Sequence, residues 1–121
     1  MEKRVLLVDD EEEFVSTLGE RLNLRKIQTS IATDGNEALQ IIESDSPDIV
    51  LLDLKMPGLD GLEVLKQIKA INKRIKVLIL TGHGSTREGI EGMRLGAFDY
   101  LMKPIDIDQL VIKLEEAAKS L

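Results

Sequence analysis

The sequence predicts an α/β domain: a five-stranded parallel sheet with helices on both faces. Three observations carry this. Short apolar runs alternate five times with longer stretches of helical period, and the links between them are short. The run Asp48–Asp53 is apolar on both faces, as a central parallel strand must be. Length also fits, since 121 residues suffice for one domain around one core.

The elements follow in order. Lys3–Val8 reads as the first strand. Glu11–Lys26 reads as a helix, with Phe14 or Val15, Leu18 and Leu22 on one stripe. Ile27–Ala32 is a short second strand whose imperfect alternation suits a sheet edge. Asp34 opens a helix from about Gly35 to Ser44, with Glu37 where a capping-box partner belongs. Asp48–Asp53 is the third strand. Lys55-Met56-Pro57-Gly58 is a turn signal. Asp60 and Glu63 form a second capping box, opening a helix to about Ala70 on Leu62, Leu65 and Ile68.

Ile75–Leu80 is the fourth strand, and Thr81-Gly82-His83-Gly84 is a loop. Ser85 and Glu88 cap the next helix, to about Leu95. Its interior glycines, Gly89 and Gly92, each cost about 1 kcal/mol against alanine. The helix is then marginal unless packing through Ile90 and Met93 holds it, which suits a switching element; alternatively the glycines permit close packing. Ala97–Met102 is the fifth strand, stopped by Pro104, and Asp106 opens the last helix. There Ile107, Leu110, Leu114, Ala117 and Leu121 make the stripe that covers the sheet, widened by Val111 and Ala118. That stripe could also continue as a coiled coil in a longer chain.

Composition narrows the functional classes. Hydrophobic residues make up 43% of the chain, so it is globular. Cysteine is lacking, which excludes disulfides, thiolate chemistry and cysteine metal sites, and fits a cytoplasmic location. No apolar stretch approaches the ~20 residues that span a bilayer, and no leader sequence is expected. Net charge is −6, with the basic residues scattered, so direct nucleic-acid binding by this chain is not expected.

Three apolar runs end at chemically useful groups: Val8 at Asp9-Asp10, Leu52 at Asp53, and Met102 at Lys103-Pro104. Parallel strands bring their carboxyl ends to one edge, where open α/β sheets bind ligands. Three carboxylates in one crevice repel one another unless a cation neutralises them. An all-oxygen donor set suits Mg²⁺ or Mn²⁺ over zinc. Asp53, ending the most rigid strand, is the best nucleophile for forming an acyl phosphate. Lys103 supplies positive charge, and Pro104 could set a cis turn that aims it inward. The Thr81 hydroxyl could donate to a phosphoryl oxygen, and Gly82 is small enough to leave that group reachable. His83, the single histidine, reads as structural or solvent-facing. Tyr100 could sit inward or outward.

Val8-Asp9-Asp10, Leu52-Asp53-Leu54-Lys55-Met56-Pro57-Gly58, Asp60-Gly61, Thr81-Gly82 and Tyr100-Leu101-Met102-Lys103-Pro104 together closely resemble the receiver domains of bacterial two-component response regulators. The resemblance covers essentially the whole chain and implies one receiver domain over residues 1–121. It implies the flavodoxin-like fold with strand order 2-1-3-4-5. It makes Asp53 the phosphoacceptor and Asp10 the principal metal carboxylate. Asp9 would act through water, and the Lys55 carbonyl would complete the ligands. Thr81 and Tyr100 would be the switch pair, Lys103 would contact the phosphoryl group, and the bond before Pro104 would be cis. Pro57 and Gly58 would shape the turn after the acceptor.

The implied partner is a sensor histidine kinase or phosphotransfer protein. The face formed by the fourth helix, fifth strand and fifth helix would change its preference for partners, including a second copy. Gly96-Ala97-Phe98-Asp99-Tyr100-Leu101 is similar to receivers attached to ATPase-type transcription activators, which implies a C-terminal output domain in a longer protein. Such a domain accepts a phosphoryl group and is not a turnover enzyme. Two other readings compete: an Mg²⁺-dependent aspartyl phosphohydrolase, and an interaction module that works without phosphate.

Overall fold

The computed structural model describes residues 2–56, 60–82 and 86–121. Strands β1 (Arg4–Val8), β2 (Gln28–Ala32), β3 (Ile49–Asp53), β4 (Lys76–Thr81) and β5 (Asp99–Met102) alternate with helices α1 (Glu12–Leu24), α2 (Gly35–Ser44), α3 (Gly61–Ile71), α4 (Thr86–Arg94) and α5 (Ile107–Lys119). All four strand pairings are parallel, in the order β2-β1-β3-β4-β5. The expected fold class and the edge position of β2 are therefore observed.

Period-two alternation splits the core into two layers. Leu6 and Val8 of β1, with Val50 and Leu52 of β3, pack under α2 and α3. Val5, Leu7, Ile49 and Leu51 face Val15, Leu18 and Leu22 of α1 and Leu110, Leu114 and Ala117 of α5. All five residues of β3 are buried, because helices cover both faces.

Helix starts follow side-chain chemistry. Asp34 accepts the Glu37 N–H, while the Glu37 carboxylate accepts from Thr33, one residue before the expected box partner. Asp60 accepts from Leu62 rather than Glu63. Asp106 accepts from Asp108 and Gln109. The Ser85 cap lies outside the described residues.

One open reading is decided in favour of close packing, and one expectation, for Leu121, is corrected. Ile90 and Met93 of α4 are 56% and 41% exposed. The bare faces of Gly89 and Gly92 meet the sheet instead. A Cβ on Gly89 would press the Tyr100 ring at 3.1 Å, and one on Gly92 would overlap Ile79 Cδ1. The glycines thus serve close packing. Leu121 lies beyond the end of α5 and is half-exposed, so it does not join the stripe.

Candidate phosphoryl-transfer site

The strand register assembles the site. Val8 of β1 pairs with Leu52 of β3, so Asp9 and Asp53 follow at adjacent strand ends. Residue parity places both toward the face covered by α1 and α5. Beyond the pairing of Thr81 with Met102, the Lys103 N–H donates to the Thr81 carbonyl at 2.9 Å and continues β5 past its last paired residue. The Lys103–Pro104 bond is cis, as expected.

Carboxylate oxygens of Asp9, Asp10 and Asp53 lie within 4.8 Å of one another. Asp9 and Asp53 are buried, whereas Asp10 is exposed at the mouth. Asp9 Oδ1 accepts the Glu11 N–H at 2.9 Å, and Asp53 Oδ1 accepts the Lys55 N–H at 3.1 Å. Lys103 Nζ stands 3.1 Å from Asp9 Oδ2 and 3.5 Å from Asp53 Oδ2. Among the described residues, Asp9 Oδ2 has no aligned hydrogen-bond donor. A buried, under-satisfied carboxylate oxygen beside two further carboxylates fits a hard divalent cation, which takes oxygen ligands.

Burial raises the Asp53 pKa above the ordinary carboxylate value, and the Asp9 charge adds to this. The Lys55 N–H and the Lys103 charge oppose the shift without cancelling it. Partial burial would by itself lower the Lys103 pKa. The hydrogen bond to Glu11, the close approach to Asp9 and the charges of Asp53 and Asp9 outweigh that and raise it. Lys103 therefore stays protonated at neutral pH. Its ammonium also lies 4.7 Å from the Phe14 ring centroid.

Thr81 is buried at the end of β4, and its hydroxyl donates to the Leu101 carbonyl over a long 3.5 Å. Gly82 leaves room beside the Lys55 side chain, whose ammonium would be 3.5 Å from a Cβ there. Tyr100 is half-buried, its ring standing on Gly89. Pro57, Gly58 and His83 lie outside the described residues.

The sequence reading missed two neighbours of the lysine. Glu11 Oε1 accepts from Lys103 Nζ at 2.9 Å, and Phe14 lies beside the same ammonium. An acidic run after Asp9-Asp10 gives no local sign of which carboxylate reaches across to Lys103, 92 positions later. A lysine on an aromatic ring has no spacing signature either.

An open parallel α/β sheet with acidic strand ends and a converging lysine defines a phosphoacceptor type of signalling domain. Residues 5–115 match the response regulator receiver domain family, and the chain belongs to that family. It is 41% identical over 110 residues to sporulation initiation phosphotransferase F of Bacillus subtilis (strain 168), covering 91% of this chain and 89% of that protein. It is 35% identical over 114 residues to the regulatory protein AtoC of Escherichia coli (strain K12), covering 94% of this chain but only 25% of that one. The receiver domain of Francisella response regulator 1452 superposes with a TM-score of 0.90 at 36% identity, covering 98% of both chains. NtrX from Brucella abortus gives 0.94 at 32% identity, covering 99% of this chain and 27% of that one. The chain is thus a two-component receiver domain with a phosphoacceptor signalling role, and some relatives carry it within much longer proteins.

Proposed function

We propose that Asp53 accepts a phosphoryl group from the phosphohistidine of a sensor histidine kinase or a phosphotransfer protein. The observation that carries this is the convergence of Asp9, Asp10, Asp53 and Lys103 at the carboxyl edge of one sheet. A carboxylate oxygen of Asp53 attacks phosphorus as the bond to the donor nitrogen breaks. Its neighbours supply positioning and charge neutralisation, which is most of what phosphoryl transfer asks of a protein. Lys103 would exchange its carboxylate contacts for the incoming oxygens, and the long Thr81 hydroxyl contact is easily exchanged for a phosphoryl oxygen.

Asp10, Asp53 and the Lys55 carbonyl would hold Mg²⁺, or Mn²⁺ in its place, with Asp9 acting through water. When bound, that ion neutralises charge on the carboxylates and on the transferred group. Tyr100 then follows Thr81, moving off Gly89 and altering the α4–β5–α5 face. Ile90, Met102 and Ile112 are exposed there and suit a changeable partner or a second copy. In a longer protein that change would pass to a C-terminal output domain, one acting in transcription by the likeness to AtoC. The domain works in the cytoplasm, and its own turnover is limited to losing the phosphoryl group to water.

The test is intact mass after incubation with acetyl phosphate and Mg²⁺. One added phosphoryl group is expected, and Asp53→Asn should lose it. Unchanged labelling of that variant removes Asp53 from the role.

A further inference from the structure

Glu11 occupies the N-cap position of α1, where a short polar side chain normally bonds to the helix backbone. Its side chain makes no such bond. It reaches instead to Lys103, and the 2.9 Å contact is the shortest of the three that this ammonium makes with carboxylates. Asp9 stands at 3.1 Å and Asp53 at 3.5 Å. The Glu11 backbone is held in place because its N–H donates to Asp9 Oδ1. The Glu11 side chain is 64% exposed, while those of Asp9 and Asp53 are almost fully buried. Of the three carboxylates on Lys103, Glu11 can let go at least cost, since water is ready to solvate it.

We infer that Glu11 is a positioning residue that holds Lys103 in a resting arrangement and must release it before the lysine can serve a phosphoryl group on Asp53. This rests on the assignment of Asp53 and Lys103 given above. Nothing in the contact requires Glu11 to touch the transferred group. It acts by lowering the fraction of molecules whose lysine is free. A competent fraction below one weakens the apparent affinity for the donor in proportion and leaves the maximal rate unchanged. The scale is that of one half-exposed ion pair, roughly a two- to fivefold effect.

Glu12 provides the control. It is the next residue and carries the same charge, yet it is not among the groups that contact Lys103. Simple repulsion of an anionic donor would make the two positions behave alike. The experiment measures phosphorylation of the full chain against acetyl phosphate concentration with Mg²⁺ present. In each turnover a phosphorus–oxygen bond to Asp53 forms, the one to the donor's acetyl oxygen breaks, and acetate leaves. Glu11→Gln should lower the half-saturating donor concentration roughly two- to fivefold at an unchanged maximal rate, and Glu12→Gln should change it little. Proton exchange of the Lys103 ammonium with solvent, followed by NMR in metal-free protein, should speed up in Glu11→Gln and not in Glu12→Gln. A Glu11→Gln that matches Glu12→Gln in both readouts, while Asp53→Asn still abolishes labelling, overturns the inference and leaves the acceptor assignment standing. Labelling that survives Asp53→Asn overturns both.

Discussion

Asp53 is held where its charged form is disfavoured. Burial, and then the charge of Asp9, raise its pKa in the folded chain, so the native protein binds that proton more tightly than the unfolded one does. Its contribution is favourable below the ordinary carboxylate pKa. It is lost as pH rises through the raised value and stays lost above it. Asp53→Asn should therefore raise the melting temperature of metal-free protein at neutral pH, by roughly a few degrees. The gain should shrink toward zero in acid, and thermal melts in chelator across pH check both parts. The meeting of Asp9, Asp10, Asp53 and Lys103 was legible in the sequence because they follow apolar runs. Glu11 and Phe14 were not, because both act through a side chain from the far end of the chain.

Among the elements, the helices show how one residue type can carry opposite requirements. Gly19 of α1 has ordinary space around it, with a Cβ meeting Ile31 Cδ1 at 3.4 Å. Gly19→Ala should stabilise the protein by about 0.5–1 kcal/mol through helix propensity. Gly61, at the start of α3, lies against the backbone of Leu54, with a Cβ only 2.5 Å from its Cα. Backbone cannot step aside, so Gly61→Ala should cost about 2–3 kcal/mol. Chemical denaturation of the two variants checks the difference in sign. Asp60 reads as a helix cap, which it is, while the need for glycine at 61 comes from close approach to the Leu54 backbone just past β3. The structure decides for close packing at Gly89 and Gly92, one of two readings that the sequence left open for α4. Its exposed Ile90 and Met93 look like anchors in a periodic pattern, while the faces that touch the sheet have no side chain to see. Helix and strand limits fell within a few residues of expectation, because caps and apolar runs are local signals.

Taken whole, the molecule concentrates negative charge at one edge of a sheet, where Lys103 and, on the proposed reading, a divalent cation would neutralise it. Ligand that binds only the folded state stabilises it by mass action, by about 2.7 kcal/mol at a hundred times the dissociation constant. Mg²⁺ added to chelated protein should therefore raise its melting temperature, and Asp10→Asn should lose most of that rise. Differential scanning with a metal titration reads this directly. Strand order and layering were foreseeable because five alternations with short links leave few right-handed parallel arrangements. The charge-neutralising geometry was foreseeable only as a meeting of strand ends, since distances between them depend on register that no single strand encodes.

The complete burial of β3 has a mechanical consequence. The strand that carries Asp53 is bonded to a neighbour on each side and roofed above and below, so it has nowhere to recoil. The lysine and the hydroxyl near it belong to the β4–β5 flank, where the outermost strand is only half-sheltered. On the proposed reading, an anion placed on this braced strand would draw Lys103, which follows the half-sheltered outer strand, rather than shift the strand beneath it.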